Sequence, residues 1–152
     1  MVTKAKEEIW STLKSRVTKA LEEEKISLGA VFSELKQISK TLVELAEMKK
    51  DYHPDQLEPS VRNSASIGQI QRNWNFVTSL EEAIRKMTQQ KLVIKKKERA
   101  IRDQCSRLES EIKKYQTLED RAIEKRKKSE ALKEGKAADE MAAAYWLRQK
   151  IE

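Results

Sequence analysis

The sequence predicts an all-α protein: two long helices forming an antiparallel coiled-coil hairpin, the second helix longer than the first. Three observations predict it. Of 152 residues, 38% are charged and 38% apolar, with only three glycines and two prolines. A compact globular domain carries nearer about 25% charged residues, and a β-sandwich or barrel needs many more turn residues. Apolar residues recur every seven positions along two stretches, the spacing of a coiled-coil seam. Both prolines fall between those stretches, at Pro54 and Pro59.

The first arm covers 2–52. One column of its seam reads Leu21, Leu28, Leu35, Leu42, and the other Val17, Val31, Ile38, Leu45, Tyr52, with Glu24 as the one polar member. The columns alternate at spacings of three and four. Toward the start the phase is less regular, with Ile9, Trp10 and Leu13. Gly29 is a weak point, costing about 1 kcal/mol relative to alanine.

The tip covers 53–68. Proline lacks the N–H that a helix interior needs and drives the preceding residue out of helical geometry. A small polar run follows, Asn63-Ser64-Ala65-Ser66, then Gly68. Outside this stretch there is no proline.

The second arm covers 69–151. Leu80, Met87, Ile94, Ile101, Leu108, Tyr115 and Ala122 stand every seventh residue, beside Val77, Ile84, Lys91, Glu98, Cys105, Ile112 and Glu119. The charged members Lys91, Glu98 and Glu119 make a looser seam, since polar seam residues trade stability for register. Counted from the tip, residue 52 faces 69 and residue 2 faces 119. The second arm then overhangs from about residue 120, roughly 45 Å of helix at 1.5 Å per residue. The overhang holds the basic run Arg121 to Lys128, with Gly135 expected to kink or fray it, and an alanine-rich end. There Tyr145, Trp146 and Leu147 give it apolar surface with no partner in the hairpin, and such surface marks a binding site.

Charge and cysteine usage bound the partners. The net charge is +7, of which +1 falls in 1–52 and +6 in 53–152. The second part therefore favours acidic partners. Cys105 is the only cysteine, so the chain holds no disulfide framework, as suits a reducing compartment. The first residues contain no apolar signal region, and the longest apolar run, Met141 to Leu147, is far short of the ~20 residues that span a bilayer. The expectation is a cytoplasmic protein that meets a membrane only through a partner.

No catalytic residues, metal site, cofactor or small-molecule substrate is expected. His53 is the only histidine, and a lone loop histidine without a second ligand at metal spacing is more often solvated. Cys105 occupies a seam position with no base near it in sequence, which favours a small buried apolar side chain over a nucleophile. Three scattered glycines make no phosphate loop. Lys95-Lys96-Lys97-Glu98-Arg99 and Lys125-Arg126-Lys127-Lys128 raise a nucleic-acid reading. Interrupting acids and the lack of an aromatic stacking platform favour a solvated helix face instead.

The start of the second arm, Asn73-Trp74-Asn75-Phe76-Val77-Thr78-Ser79-Leu80-Glu81-Glu82-Ala83-Ile84, resembles the FliJ family of flagellar export proteins. So do Glu98-Arg99-Ala100, Lys113-Lys114-Tyr115-Gln116-Thr117-Leu118-Glu119 and Asp139-Glu140-Met141-Ala142 further on. The resemblance covers mainly 70–150; the first arm matches in length and heptad character. Stalk proteins of virulence type III secretion share the plan.

The resemblance implies a non-enzymatic antiparallel coiled coil similar to the stalk subunit of rotary ATPases. Such proteins associate with the hexameric flagellar export ATPase, with the stalk in its central channel, and promote its assembly and activity. They also contact the cytoplasmic domain of the export-gate membrane protein and bind export chaperones, which implies peripheral association with the membrane-embedded export apparatus. The family's gate-contact pattern, at i, i+4, i+7 and i+11, falls on Phe76, Leu80, Ala83 and Met87, where Met87 departs from the polar residue of some relatives. Leu80 and Met87 also belong to the seam column, so a plain core role competes with gate contact there.

The dimensions and charge of the hairpin suit a stalk independently of the resemblance. Two helices side by side are about 20 Å wide, narrow enough for a ring's channel, and a basic helix is drawn to an acidic lining. The expected ring-facing residues are Arg121, Lys125, Arg126, Lys127, Lys128, Tyr145, Trp146 and Leu147. Two alternatives stand beside this reading: a generic structural coiled coil that dimerises through its overhang, and a basic nucleic-acid-binding hairpin.

Overall fold

A computed structural model describes residues 2–56 and 66–151. Helix α1 spans Val2–Tyr52, 51 residues, and helix α2 spans Ile67–Ile151, 85 residues. The two pack against each other, and no strand occurs among the described residues, in agreement with the predicted hairpin. α1 ends where the first proline stands, and Pro54 opens a single 3₁₀ turn, Pro54–Gln56. Pro59 and the polar run Asn63-Ser64-Ala65 of the expected tip lie outside the described residues.

α2 begins at Ile67 because Ser66 caps it. The N–H of Gln69 donates to Ser66 Oγ at 3.2 Å and to the Ser66 carbonyl at 3.0 Å, and the N–H of Ile70 reaches the same carbonyl at 3.1 Å. These bonds satisfy N–H groups that a helix's first turn leaves without partners. Further along, α2 passes through Gly135 as continuous helix, where the sequence led us to expect a kink or fraying. Alanines around it and i,i+4 ion pairs just before it, Lys128 with Glu124 at 3.4 Å and Arg126 with Glu130 at 3.9 Å, supply the helix propensity.

The chain divides into two compact units, one of Glu24–Gln104 and one of Met1–Glu23 with Cys105–Glu152. In the first, the seam is mostly apolar, with Lys91 and Glu98 as half-buried charged members. Val31, Ile38 and Ile94 are buried, and Leu35, Leu42, Met87 and Ile101 pack on them. Val77, at 1% exposure, and Leu80 extend the same face toward the start of α2.

In the second unit the seam is mixed. Leu21, Cys105, Leu108 and Ala122 are buried, and Trp10 stacks on Tyr115 with ring centroids 6.1 Å apart. Charged groups join them. Lys14 Nζ lies 2.9 Å from Glu119 Oε2 and donates to Gln116 Oε1 at 2.8 Å. Arg126 Nε lies 2.8 Å from Glu7 Oε1, and both atoms are closed to solvent. The pair attracts as two charges; its angle is too poor for an aligned hydrogen bond.

The register differs from the count made from the tip. Tyr52 meets Phe76, with ring centroids 5.0 Å apart, where the count placed residue 69. The displacement is seven residues, one heptad. A heptad pattern is satisfied equally well after a slip of one repeat. Specific contacts such as Tyr52 with Phe76 and His53 with Trp74 choose between the alternatives.

Candidate functional site

The first candidate surface lies at the start of α2. The i, i+4, i+7, i+11 spacing puts Phe76, Leu80, Ala83 and Met87 within one stripe of the helix. The stripe is not uniformly free. Phe76 is 41% exposed, whereas Leu80 is 6% exposed. Ala83 is half-buried, and Met87 packs on the Val31–Ile38–Ile94 cluster. Leu80 and Met87 therefore hold the two helices together, and Phe76 is the member that offers area to a partner. Tyr52, at 49% exposure, contacts Phe76 edge to face from the end of α1. Met48 stands one turn before Tyr52 and is also exposed. Sequence reading placed Tyr52 in the seam and gave Met48 no role. The signal for both was there in their spacing of four residues, but only a known register shows which part of α2 they adjoin.

On the far flank of the same end, His53 packs edge-on against Trp74, with centroids 4.8 Å apart. His53 Nδ1 accepts the N–H of Asp55 at 3.2 Å. The Asp55 carboxylate lies 3.4 Å from the same nitrogen. His53 is thus a structural residue of the turn. Among the described residues no group of three or more His, Cys, Asp or Glu side chains is placed to hold a metal ion.

The second candidate surface is the end of α2. Ala122 is buried, Ile123 and Arg126 are half-buried, and every side chain from Lys127 to Ile151 is exposed. The stretch 120–126 therefore still packs on α1, and the helix stands clear from Lys127. Of the basic residues expected to face a ring, Arg121, Lys125 and Lys127 are exposed. Arg126 is engaged by Glu7, and Lys128 by Glu124 at 3.4 Å. Tyr145, Trp146 and Leu147 are 65%, 57% and 54% exposed, a concentration of free apolar area on a stretch of helix that packs on no other element among the described residues. Lys150 Nζ sits 4.3 Å from the Trp146 ring centroid, and the Gln149 amide donates to the Tyr145 hydroxyl at 3.1 Å. These local contacts hold the rings along the helix surface.

The family model described as Flagellar FliJ protein matches residues 11–150, nearly the whole chain. The chain belongs to the FliJ family. The match includes the first arm, which sequence reading aligned only by length and heptad character. The family assignment makes this chain a component of flagellar protein export. No curated protein and no solved structure matches the chain. Among the described residues no helix is long and apolar enough to cross a membrane, so neither candidate surface belongs to a spanning segment.

Proposed function

We propose that this FliJ-family protein acts without catalysis, as a stalk that engages the hexameric flagellar export ATPase through the end of α2. One observation supports the reading above others: residues 127–151 form helix with every side chain exposed and end in free Tyr145, Trp146 and Leu147. A helix without tertiary packing lacks the main source of helical stability in proteins, and apolar area of that kind gains most from a partner. Arg121, Lys125, Lys127 and Lys128 add the positive charge that speeds encounter with an acidic channel lining. Arg126 acts in the same surface through its packing with Glu7.

The gate-binding role rests on the other surface. Phe76, flanked by Tyr52, is the anchor for the cytoplasmic domain of the export-gate membrane protein, and Ala83 leaves room beside it. Leu80 and Met87 fix the helix that presents Phe76. Export chaperones are the third partner class, and the protein works in the cytoplasm at the periphery of the export apparatus.

The deciding experiment measures ATP hydrolysis by the purified flagellar export ATPase with and without this protein at fixed moderate salt. Stimulation that disappears when residues 127–152 are removed supports the stalk. The cut falls after Arg126 so that Ala122 and the Glu7–Arg126 pair stay in place. Absence of both stimulation and co-elution with the ATPase sinks the reading in favour of a plain structural coiled coil.

A further inference from the structure

The unit Glu24–Gln104 has one flank that is net basic and one whose charges balance, and only the balanced one holds Phe76. With Leu28, Leu35 and Leu42 at heptad position a and Val31 and Ile38 at d, α1 places Lys25, Phe32, Ser39, Ala46 and His53 at e. With Val77 and Ile84 at a and Leu80 and Met87 at d, α2 places Trp74, Glu81, Thr88, Lys95 and Arg102 at e. Two contacts put these e positions on one side of the seam. Arg102 lies over Phe32, 5.2 Å from its centroid, and His53 meets Trp74 at 4.8 Å.

The charge on that side is mostly positive. Its e and outer b positions on α1 carry Lys25, Lys36 and Lys50 and no acid. Those on α2 carry Arg85, Lys95, Arg99 and Arg102 against one acid, Glu81, which Lys49 engages at 3.3 Å. The opposite side carries Glu34, Glu44 and Asp51 on α1 against Arg72, Lys86 and Lys97 on α2, so its charges balance. Between the cations stand two exposed aliphatic side chains at b positions, Val43 and Leu92, 58% and 57% exposed.

We propose that this flank is a docking face for an acidic amphipathic helix of a protein partner, laid along the two helices as a third strand. The e and b positions are those that a third helix touches. Lys95, Arg99 and Arg102 stand at i, i+4 and i+7, so their charges repeat along one line at the rise of about one helical turn per step; Arg102 also engages Glu98 at 2.9 Å, which leaves Lys95 and Arg99 as the main contacts. A partner helix with carboxylates at the same spacing meets them in register, while its apolar residues cover Leu92 and Val43. The same features disfavour a nucleic acid. Phe32 is already engaged by Arg102 and Trp74 by His53, and the exposed aliphatic side chains Val43 and Leu92 gain nothing from phosphates. The face is independent of the ring-facing end of α2 and of Phe76.

The test uses the full chain and a fluorescently labelled 21-residue helical peptide with glutamate at i, i+4 and i+7 on one side and leucine on the other. Binding is read by anisotropy in moderate salt. The peptide is expected to bind, and Lys95→Glu/Arg99→Glu is expected to weaken it by about tenfold or more. Lys125→Glu/Lys127→Glu, which reverses two cations of the other unit, and Phe76→Ala leave it unchanged. Circular dichroism confirms that the variants remain helical. Equal binding of a sequence-shuffled peptide of the same composition overturns the proposal. So does displacement of the peptide by a single-stranded RNA oligonucleotide at equal concentration, or insensitivity to Lys95→Glu/Arg99→Glu.

Discussion

The unit Glu24–Gln104 and the unit that holds both chain ends are built on the same heptad, yet they fill it differently. The first closes its seam with β-branched and leucine side chains, Val31, Ile38, Ile94, Val77 and Leu80 among them. The second places Ala122 and Cys105 at seam positions and completes them with Lys14–Glu119 and Glu7–Arg126. Apolar burial is non-directional and strong, so it supplies stability but tolerates slippage. A charged pair in a half-buried seam adds little net stability, yet it penalises every register in which one charge is left without the other. The difference teaches a division of labour: one region holds the hairpin together, and the other fixes where α2 leaves its partner.

That contrast can be broken first where it is strongest. Ile38→Ala removes buried volume from the Val31–Ile38–Ile94 cluster and should cost about 3 kcal/mol, read as a lower denaturant midpoint of the helical circular-dichroism signal. A loss below about 1 kcal/mol means the apolar seam is not the main source of stability.

Phe76→Ala probes the same unit from outside. Because Phe76 is 41% exposed, the fold should lose about 1 kcal/mol or less, while affinity for the cytoplasmic domain of the export gate should fall by about 2 kcal/mol. Unchanged gate affinity in a titration of the two purified proteins removes Phe76 from that contact. Leu80→Ala is the internal contrast: at 6% exposure, it should act chiefly on stability.

Glu119→Ala sharpens the comparison from the other unit. It leaves Lys14 without its 2.9 Å partner at a half-buried position and should cost about 1 kcal/mol, with solvent screening keeping the figure small. Replacing both, Lys14→Met with Glu119→Leu, should recover that stability. If it does, the pair serves register rather than strength, and a double variant that stays destabilised by thermal melting contradicts that role.

The smallest effect separates packed helix from free helix. A Cβ at Gly29 or at Gly135 meets no atom within 4 Å, so alanine fits at both. Gly29→Ala should raise global stability by about 0.5–1 kcal/mol. Gly135→Ala should leave the global midpoint alone and raise only the hydrogen-exchange protection of residues 127–151. An equal gain in global stability from both substitutions means that the end of α2 unfolds together with the rest.

Much of this was legible in the residues. Leucine columns, the absence of proline from both arms and Pro54 at their junction determine two helices, their order and their unequal length, because these are periodic or local properties of a chain. The basic excess of the second part follows from composition, and the placing of Tyr145–Trp146–Leu147 beyond the first arm follows from the unequal arm lengths. Continuous helix through Gly135 did not follow, because single-residue propensity there is outweighed by its alanine-rich surroundings.

What the tertiary structure decided is which residues share a layer and which remain free. Periodicity gives the register only to within whole heptads, so it could not say that Tyr52 meets Phe76 or that Arg126 reaches Glu7. Those contacts in turn decide that Leu80 and Met87 are core, that Phe76 is presented, and that α2 stands clear from Lys127 and not from 120. A repeating pattern carries the identity of the interacting face. Only unlike side chains meeting across the seam break its translational degeneracy.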